Sequence, residues 1–468
     1  MKKVFLLLIL MSFGLISCAL PAKMTQTPAE KTGRLLLYLQ PLPQEASSLT
    51  FTVAGLAARR EDGSEIHLHG AFPPCTGASL IGVQTRLLSI SLPPGRYSGL
   101  VMTLGSASAR RQSGVKVLQV SPKPIFLAKS FTMARRKNVT LFLSLSAERL
   151  MTDGSQFTPS FLLSIPQRQL IDLKGFVSNS ASDSLTVINK RLPEVVANLA
   201  VGASPEGMAL DQARGWLYVA LKDEDAVAMV EVSNSLTMGK IQLHYGDGPT
   251  ELALSPDGRI LVAINPGSNT ASIINTSSLS EVSRIKFTSE PCDVVMGREG
   301  TLAYVLFANT NSIAVLDLTT PERVTVRSAT LPESPRRGVL SRDGKSLYLV
   351  TGIGPDLLVV DTSTLAVTGR IFAGGSSLCL AVDRTSGLLY LGGKSGEIAV
   401  VDPTMGVLID TFAASGPVVF LTIDYEENSL FAVLPEQQTV EKIDLVSKRL
   451  LGTVAVDDGA HAMVVVGE

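Results

Sequence analysis

Two short apolar segments and the turn between them decide the fold: Pro249-Thr-Glu-Leu-Ala-Leu-Ser-Pro-Asp-Gly258, followed by Arg259-Ile-Leu-Val-Ala-Ile-Asn265. Apolar runs of this length, bounded by turn formers, indicate strands, and Ser-Pro-Asp-Gly is a typical tight turn. Related pairs of segments recur along the C-terminal two thirds of the chain. The recurrence, rather than any single motif, predicts the fold class.

The repeat is measured from the residue that opens each unit. Successive openers lie 40 to 44 residues apart, and they are Pro205, Pro249, Pro291, Pro335, Ser377, Pro417 and Gly459. An apolar strand follows each opener, and the first six units go on through a turn to further strands. Four short strands in about 40–45 residues is the period of a β-propeller, whereas a solenoid or a tandem sandwich has another period.

The number of blades follows from the strands outside the six full units. Three strands precede Pro205, and one strand, Ala462–Val466, follows the last opener. The C-terminal strand should therefore complete a blade begun by residues 175–201, which leaves no open edge in the ring. We predict a seven-bladed β-propeller over residues 173–468.

The repeat units resemble the YVTN family of β-propellers. Phe176-Val-Ser-Asn179 is the nearest match to the family tetrad, and Tyr348-Leu-Val-Thr351 keeps three of its positions in type. The Ser-Pro-Asp-Gly turn and the Val-Asp pairs at Val360-Asp361 and Val401-Asp402 match better. The resemblance covers residues 173–468 and implies the propeller fold without indicating a ligand.

Residues 33–172 have a different pattern, with short alternating strands such as Leu49-Thr-Phe-Thr-Val53 and almost no helical period. This pattern predicts a β-sandwich, so the whole chain is expected to be all-β. Leu92-Pro-Pro-Gly-Arg-Tyr-Ser-Gly-Leu-Val101 resembles a signature of transthyretin-like sandwiches and of an uncharacterised domain in bacterial surface lipoproteins. That resemblance implies a fold and no activity.

Residues 1–17 have the features of a secretory signal peptide, with Lys2 and Lys3 before an apolar run that is too short to span a bilayer. Leu15-Ile-Ser-Cys18 resembles the bacterial lipobox, which implies acyl chains such as palmitate on Cys18 and a tether over residues 18–32. Ordinary signal cleavage is the alternative. Ala19 favours the outer membrane over the inner membrane, so we expect a lipid-anchored protein of the cell envelope.

Composition excludes several functions. The formal net charge is −1, and a concentrated basic face, as nucleic-acid binding would need, is missing from the sequence. The sequence contains no HExxH, GxSxG or phosphate-loop motif, and we expect no cofactor and no metal. Cys75, Cys292 and Cys379 are odd in number and lack a CxxC pair, so we expect buried thiols rather than a disulfide framework.

Three charged or metal-ligating groups have two interpretations each. His67 and His69 alternate along one strand and are either solvent-facing or a metal pair that lacks further ligands. Arg110-Arg111 and Arg135-Arg136-Lys137 are either solvated turns or, near a membrane anchor, contacts for anionic headgroups.

The candidate site lies where the innermost strands begin, because these strands line the channel of a propeller. The residues just after the openers should face one mouth of the channel, and they are Glu206, Thr250, Glu251, Cys292, Asp293, Arg336, Arg337, Leu378, Val418 and His461. Among them, the predicted ligand-binding residues are Glu206, Glu251, Asp293, Arg336, Arg337 and His461. A hydrated mouth with neutralising charges is the alternative.

The predicted function is binding or scaffolding, with a small ligand or a protein partner on the propeller face. One alternative is a lactonase-like hydrolase that uses Glu206, Glu251 or Asp293 for acid–base chemistry. A second alternative is a structural component of the surface layer.

Overall fold

A computed structural model describes residues 32–112, 114–147, 150–152, 155–166, 171–351 and 354–467. Short alternating segments between Gly33 and Ser164 form the first twelve strands. These strands are Gly33–Leu39 (β1), Leu49–Arg60 (β2), Glu65–Leu68 (β3), Cys75–Thr76 (β4), Thr85–Leu92 (β5), Gly95–Arg111 (β6), Gly114–Val120 (β7), Ile125–Met133 (β8), Asn138–Leu145 (β9), Met151–Thr152 (β10), Gln156–Phe157 (β11) and Phe161–Ser164 (β12).

These strands form the predicted β-sandwich. One sheet has the order β12-β9-β1-β5, and the other has the order β10-β11-β7-β6-β2-β3, with β4 on β2 and β8 on β6. Leu35, Leu37 and Leu39 of β1 point into the shared core. The tyrosine of the Leu-Pro-Pro-Gly-Arg-Tyr segment closes a strand end, because the hydroxyl of Tyr97 donates to the carbonyl of Pro93 at 2.7 Å.

The remaining strands form seven four-stranded antiparallel sheets. Blade 1 combines Lys174–Asn179 (β13), Ser184–Asn189 (β14) and Glu194–Ala200 (β15) with the last strand of the chain. The next three blades are Pro205–Asp211, Trp216–Leu221, Ala226–Glu231 and Leu236–Gln242 (β16–β19, blade 2); Glu251–Leu254, Ile260–Asn265, Thr270–Asn275 and Ser280–Lys286 (β20–β23, blade 3); and Asp293–Met296, Leu302–Phe307, Ser312–Asp317 and Thr325–Thr330 (β24–β27, blade 4).

The last three blades repeat the same order, and the final strand returns to blade 1. They are Arg337–Leu340, Ser346–Val350, Asp356–Asp361 and Val367–Phe372 (β28–β31, blade 5); Ser377–Val382, Leu389–Gly393, Glu397–Asp402 and Val407–Ala413 (β32–β35, blade 6); Phe420–Asp424, Ser429–Leu434, Thr439–Asp444 and Leu450–Ala455 (β36–β39, blade 7); and Ala460–Val465 (β40, blade 1). The predicted fold class, a sandwich followed by a seven-bladed propeller, is confirmed.

The C-terminal strand closes the ring as predicted. Val465 of β40 lies opposite Gly175 of β13 in an antiparallel pair. Lys190, which follows β14, is fully buried and joins blade 1 to blade 7, because its ammonium group lies 3.1 Å from the carboxylate of Asp424. The same ammonium group donates to the carbonyl of Val466 at 2.6 Å. A buried charge needs such partners, so the last strand and blade 7 both depend on this lysine.

The Ser-Pro-Asp-Gly turn between β20 and β21 is held by its own side chains. The hydroxyl of Ser255 lies 2.6 Å from a carboxylate oxygen of Asp257, which also accepts from the amide of Arg259. Gly258 has a left-handed φ of 70°, which strongly favours glycine. Ser341 and Asp343 make the same contacts in blade 5. The motif therefore acts as a hairpin connector.

The sandwich packs against the side of the propeller where the ring closes. Leu36 and Tyr38 of β1 join an apolar cluster with residues of blades 1 and 7. The carboxylate of Asp457, between β39 and β40, is fully buried and lies 2.9 Å from guanidinium nitrogens of both Arg34 and Arg86. These contacts fix the orientation of the sandwich on the propeller.

Helical structure is sparse in the described residues. The one α-helix is Gly77–Leu80, and the 3₁₀ turns are Gln44–Ala46, Ile171–Leu173, Ser180–Ser182, Lys222–Glu224 and Pro266–Ser268. None of the helices described is both long enough and apolar enough to cross a bilayer.

Candidate ligand-binding site in the propeller channel

The innermost strands of the seven blades surround a cavity of about 320 Å³. Every blade contributes to its wall, and the middle of the wall is apolar, with Met208, Leu252, Val339, Leu380 and Leu421. This volume is at the lower end of the range for small-molecule pockets. The channel can therefore enclose a small molecule rather than a folded partner.

One position of the repeat supplies the polar end of the cavity. The second residue after each opener is Gly207, Glu251, Asp293, Arg337, Cys379, Val419 and His461 in blades 2 to 7 and 1, respectively. In blades 3, 4 and 5 this residue begins the innermost strand, with Glu251, Asp293 and Arg337 opposite Ile264, Leu306 and Val350. Equivalent positions on neighbouring blades converge, so side chains far apart in sequence meet here.

Four of these side chains form one cluster. The guanidinium of Arg337 lies 2.6 Å from the carboxylate of Glu251 and 3.6 Å from that of Asp293. Nε2 of His461 lies 3.2 Å from the same oxygen of Glu251 and 3.5 Å from Nη2 of Arg337. Asp293 also accepts a hydrogen bond from the amide of Gly338 at 2.8 Å. We call these four residues the mouth cluster.

The two carboxylates of the mouth cluster differ in their electrostatics. Burial raises the pKa of Glu251, but the guanidinium of Arg337 and the imidazole of His461 outweigh burial and hold that pKa well below its usual range. Burial also raises the pKa of Asp293, Arg337 lowers it, and the neighbouring charge of Glu251 raises it again, to about 6. One guanidinium therefore serves two acids, and Asp293 receives the smaller share.

A glycine makes room for Glu251. A Cβ atom on Gly207 would lie 2.6 Å from a carboxylate oxygen of Glu251 and 2.5 Å from the carbonyl of Thr250. The amide of Gly207 donates to that carbonyl at 2.7 Å. Blade 2 thus has no side chain at the repeat position so that the acid of blade 3 can fit.

Glu206 and Arg336, both predicted as site residues, lie outside the mouth cluster. The register of β16 shifts between Pro205 and Met208, and such a bulge re-aims side chains. The carboxylate of Glu206 accordingly lies 3.0 Å from the ammonium of Lys222. Arg336 precedes β28 and is exposed. The mouth cluster contains the other four predicted residues.

The first residue after each opener has a different role from the second. The carbonyl of Thr250 accepts from Gly207, and the half-buried thiol of Cys292 lies 3.3 Å from the carbonyl of Leu306. Strand alternation explains the difference, because neighbouring residues point to opposite sides. Both positions follow the opener and were predicted to face the same mouth; only strict alternation counted from the opener separates them.

Other parts of the cavity wall were not among the residues predicted from the sequence. Cys379 lines the cavity instead of Leu378, because the register of β32 shifts between Ser377 and Cys379. Burial raises the pKa of the Cys379 thiol to about 12, so it is not a ready nucleophile. At the far end the wall includes Arg384 and Tyr425, whose hydroxyl accepts from the amide of Arg384 at 3.1 Å. No repeated feature of the sequence marked this end.

The remaining candidates lie outside the mouth cluster. His67 and His69 are exposed, and the described part of the chain contains no group of three His, Cys, Asp or Glu side chains that could hold a metal ion. Cys75, Cys292 and Cys379 are free thiols. Cys18, the predicted lipidation residue, lies outside the described residues.

Comparisons with known proteins agree with the fold. No protein-family model matches the chain. A seven-bladed β-propeller protein of Mycobacterium tuberculosis is 32% identical over 121 residues, which is 25% of this chain and 30% of that relative. The match thus spans less than a third of the relative's length.

Solved structures also share the propeller architecture. A protein of unknown function from Desulfotomaculum acetoxidans has a TM-score of 0.56 at 11% identity, over 62% of this chain and 98% of its own. A Bacteroides uniformis protein, provisionally named as a 6-phosphogluconolactonase, has a TM-score of 0.54 at 14% identity, over 63% of this chain and 99% of its own. At such identities the likeness shows the fold alone, and the chain is similar to β-propeller proteins.

Proposed function

We propose that this chain is a lipid-anchored binding protein of the cell envelope, with YVTN-type repeats, and that its propeller channel takes a small ligand carrying a cationic group. The anchor follows from the lipobox resemblance at Cys18, and Ala19 favours the outer membrane. A protein partner that presents a lysine or arginine side chain would satisfy the same site. The propeller supplies the cavity and the mouth cluster supplies the recognition chemistry.

The charge of the mouth cluster carries this proposal. Arg337 brings one positive charge to two carboxylates, so the cluster has one negative charge in excess when Asp293 is ionised and the imidazole of His461 is uncharged. Arg384, the other cation of the wall, follows β32 five residues after Cys379, a separation of about 16 Å along an extended chain. A ligand ammonium group beside Asp293 would balance the excess charge, while the apolar wall would contact the rest of the ligand.

The proposal is tested by titrating the purified protein with ethanolamine, choline and putrescine, and with uncharged alcohols of matched size, in a calorimeter. We expect binding of at least one amine and none of its alcohol analogue. Asp293→Asn should weaken that binding at least tenfold. Glu206→Gln, which removes a carboxylate just outside the mouth cluster, is the matched control and should bind as the wild type does. Equal binding of amines and alcohols would contradict the proposal.

Hydrolysis of a neutral lactone or ester is the second candidate. It is favoured by Asp293, because a carboxyl with a pKa of about 6 can exchange a proton near neutral pH. Arg337 could stabilise the charge that develops on the substrate oxygen. A phosphorylated substrate fits poorly, since it would add negative charge to an acidic site. Turnover of a δ-lactone panel that Asp293→Asn abolishes would support this candidate, and no turnover would remove it.

A further inference from the structure

Charge is divided unevenly between the two parts of the chain. Residues 33–172 contain 15 lysines and arginines against seven acidic residues, whereas residues 173–468 contain 22 against 34. The sandwich is therefore basic and the propeller is acidic. An anionic surface attracts the first part and repels the second.

The exposed basic residues include a turn beside the point where the chain enters the sandwich. Arg135, Arg136 and Lys137, between β8 and β9, are all exposed. The amide of Arg136 donates to the carbonyl of Thr32 at 3.0 Å, and the amide of Arg34 donates to the carbonyl of Lys137 at 3.0 Å. The basic turn, residues 134–137, is thus fixed to the end of the segment that leads to Cys18.

The neighbouring turns leave this end of the sandwich basic. Arg96 of β6, which lies opposite Thr132 of β8, adds another exposed cation. Glu61 and Asp62 in the turn after β2 and Glu65 of β3 are the nearby exposed acids, and Glu65 is paired with Arg59 at 2.8 Å. The amide of Glu61 donates to the carbonyl of Arg96 at 3.3 Å. The four exposed cations therefore outnumber the three exposed acids.

The number of residues between Cys18 and the sandwich limits how far the basic turn can lie from a lipid on Cys18. Thirteen residues separate Cys18 from Thr32. Thirteen residues span at most about 45 Å, because each residue adds no more than about 3.5 Å to a chain. The negative surface of a membrane attracts protein cations within a Debye length of about 8 Å at physiological salt. The basic turn must therefore come within about that distance of the headgroups, and the chain is long enough to allow this.

We propose that the basic turn is a docking face for anionic phospholipid headgroups, and that it holds the acidic propeller away from the bilayer. The proposal rests on the proposed lipid anchor. The sandwich packs on the propeller through Leu36, Tyr38 and the buried pairs of Asp457, so docking of one part orients the other. The channel then keeps a defined direction relative to the membrane.

The test uses the full lipidated protein in vesicles of phosphatidylglycerol and phosphatidylethanolamine, or of phosphatidylcholine alone. The exposed Ala134 is replaced by the photo-crosslinker p-benzoylphenylalanine, and lipid adducts are counted by mass spectrometry. We expect adducts only with phosphatidylglycerol at low salt. The triple variant Arg135→Glu, Arg136→Glu, Lys137→Glu should lose at least tenfold in adduct yield, since each cation near the surface adds to the attraction.

A matched control reverses the same number of charges at the opposite end of β6 and on the adjoining β7, with Arg110→Glu, Arg111→Glu and Lys116→Glu. This variant should crosslink as the wild type does. Equal adduct yields on both vesicle types, or equal losses in both triple variants, would overturn the docking face.

Failure of the anchor gives a different result. A protein without the lipid would not float with phosphatidylcholine vesicles, whichever triple variant is present. Docking of the unlipidated protein would then be measured by its flotation with phosphatidylglycerol vesicles. Flotation that the variant at 135–137 abolishes keeps the docking face, and no flotation of the wild type refutes it as well.

Discussion

In blades 3 and 5, the innermost propeller strand has matching residues at one end and different residues at the other. At the turn end, Ser255 and Asp257 of blade 3 make the same hydrogen bonds as Ser341 and Asp343 of blade 5. At the channel end, the equivalent residues of these blades are Glu251 and Arg337, which carry opposite charges. The repeated end builds hairpins, and the varied end builds a site that only the closed ring brings together.

The largest expected effect comes from opening the ring, because the mouth cluster includes His461 from the last strand. Deletion of residues 462–468 removes Met463 and Val465, both fully buried or nearly so. Losing this apolar contact should cost on the order of 5 kcal/mol and lower the Tm of the propeller by about 8 °C. Deletion of residues 467–468 alone is the control. Unchanged cooperative melting of the longer deletion, measured by calorimetry, would contradict the closed ring.

The next effect compares two adjacent arginines. Arg337→Met leaves two buried carboxylates without their shared cation, so it should destabilise the protein by about 3–5 kcal/mol. Arg336→Met changes an exposed side chain and should have an effect below about 0.5 kcal/mol. Chemical denaturation measures both changes. Equal losses of stability would show that Arg337 is not the arginine that faces the two carboxylates while Arg336 faces solvent.

The third effect is a difference between Asp293 and Glu251 in how their substitution changes stability with pH. The folded pKa of Asp293 is raised, so wild-type stability is complete below the unfolded value near 4 and is lost as the pH rises through about 6. Asp293→Asn should therefore be more stable than the wild type at pH 8, by up to about 3 kcal/mol, and lose this advantage at pH 4.

Glu251→Gln is the opposite case. The folded pKa of Glu251 is lowered, so its ionised form stabilises the protein above the unfolded pKa, and that contribution is lost only as the pH falls. Removing the charge should destabilise the protein at pH 8. Thermal melts at pH 8 measure both variants. If Asp293→Asn and Glu251→Gln changed the Tm in the same direction, Arg337 would not favour Glu251 over Asp293.

The smallest effects test the repeated turn end. Asp257→Ala and Asp343→Ala each remove the same exposed hydrogen bonds and should each cost about 1 kcal/mol. The two values should agree within about 0.5 kcal/mol. A large difference in denaturant midpoints would show that the turn end is not equivalent between blades.

The period of the openers was enough to predict the propeller, its seven blades and the return of β40, because each depends on regular strand spacing. It also placed Glu251, Asp293, Arg337 and His461 at one mouth. The bulge at Glu206 could not be predicted, since the register shift that sets it depends on pairing with β17. The cavity wall beyond the mouth cluster depends on packing among all seven blades, which no single repeat encodes.

The contacts between the sandwich and the propeller could not be predicted from the sequence either. Asp457 lies 423 residues from Arg34 and 371 residues from Arg86 in the sequence, and none of the three belongs to a repeated motif. Their partnership becomes visible only when ring closure brings residue 457 beside the first sheet.

The measurement that tests the account most directly is a carboxyl titration by ¹³C NMR of protein labelled at aspartate and glutamate side chains, assigned through Asp293→Asn and Glu251→Gln. The shared cation requires that the Asp293 resonance titrates near pH 6, while the Glu251 resonance stays ionised well below its usual range. Addition of the bound amine should lower the apparent pKa of Asp293. Two resonances that titrate together near pH 4, unaffected by amine, would contradict the excess negative charge on which the proposed site depends.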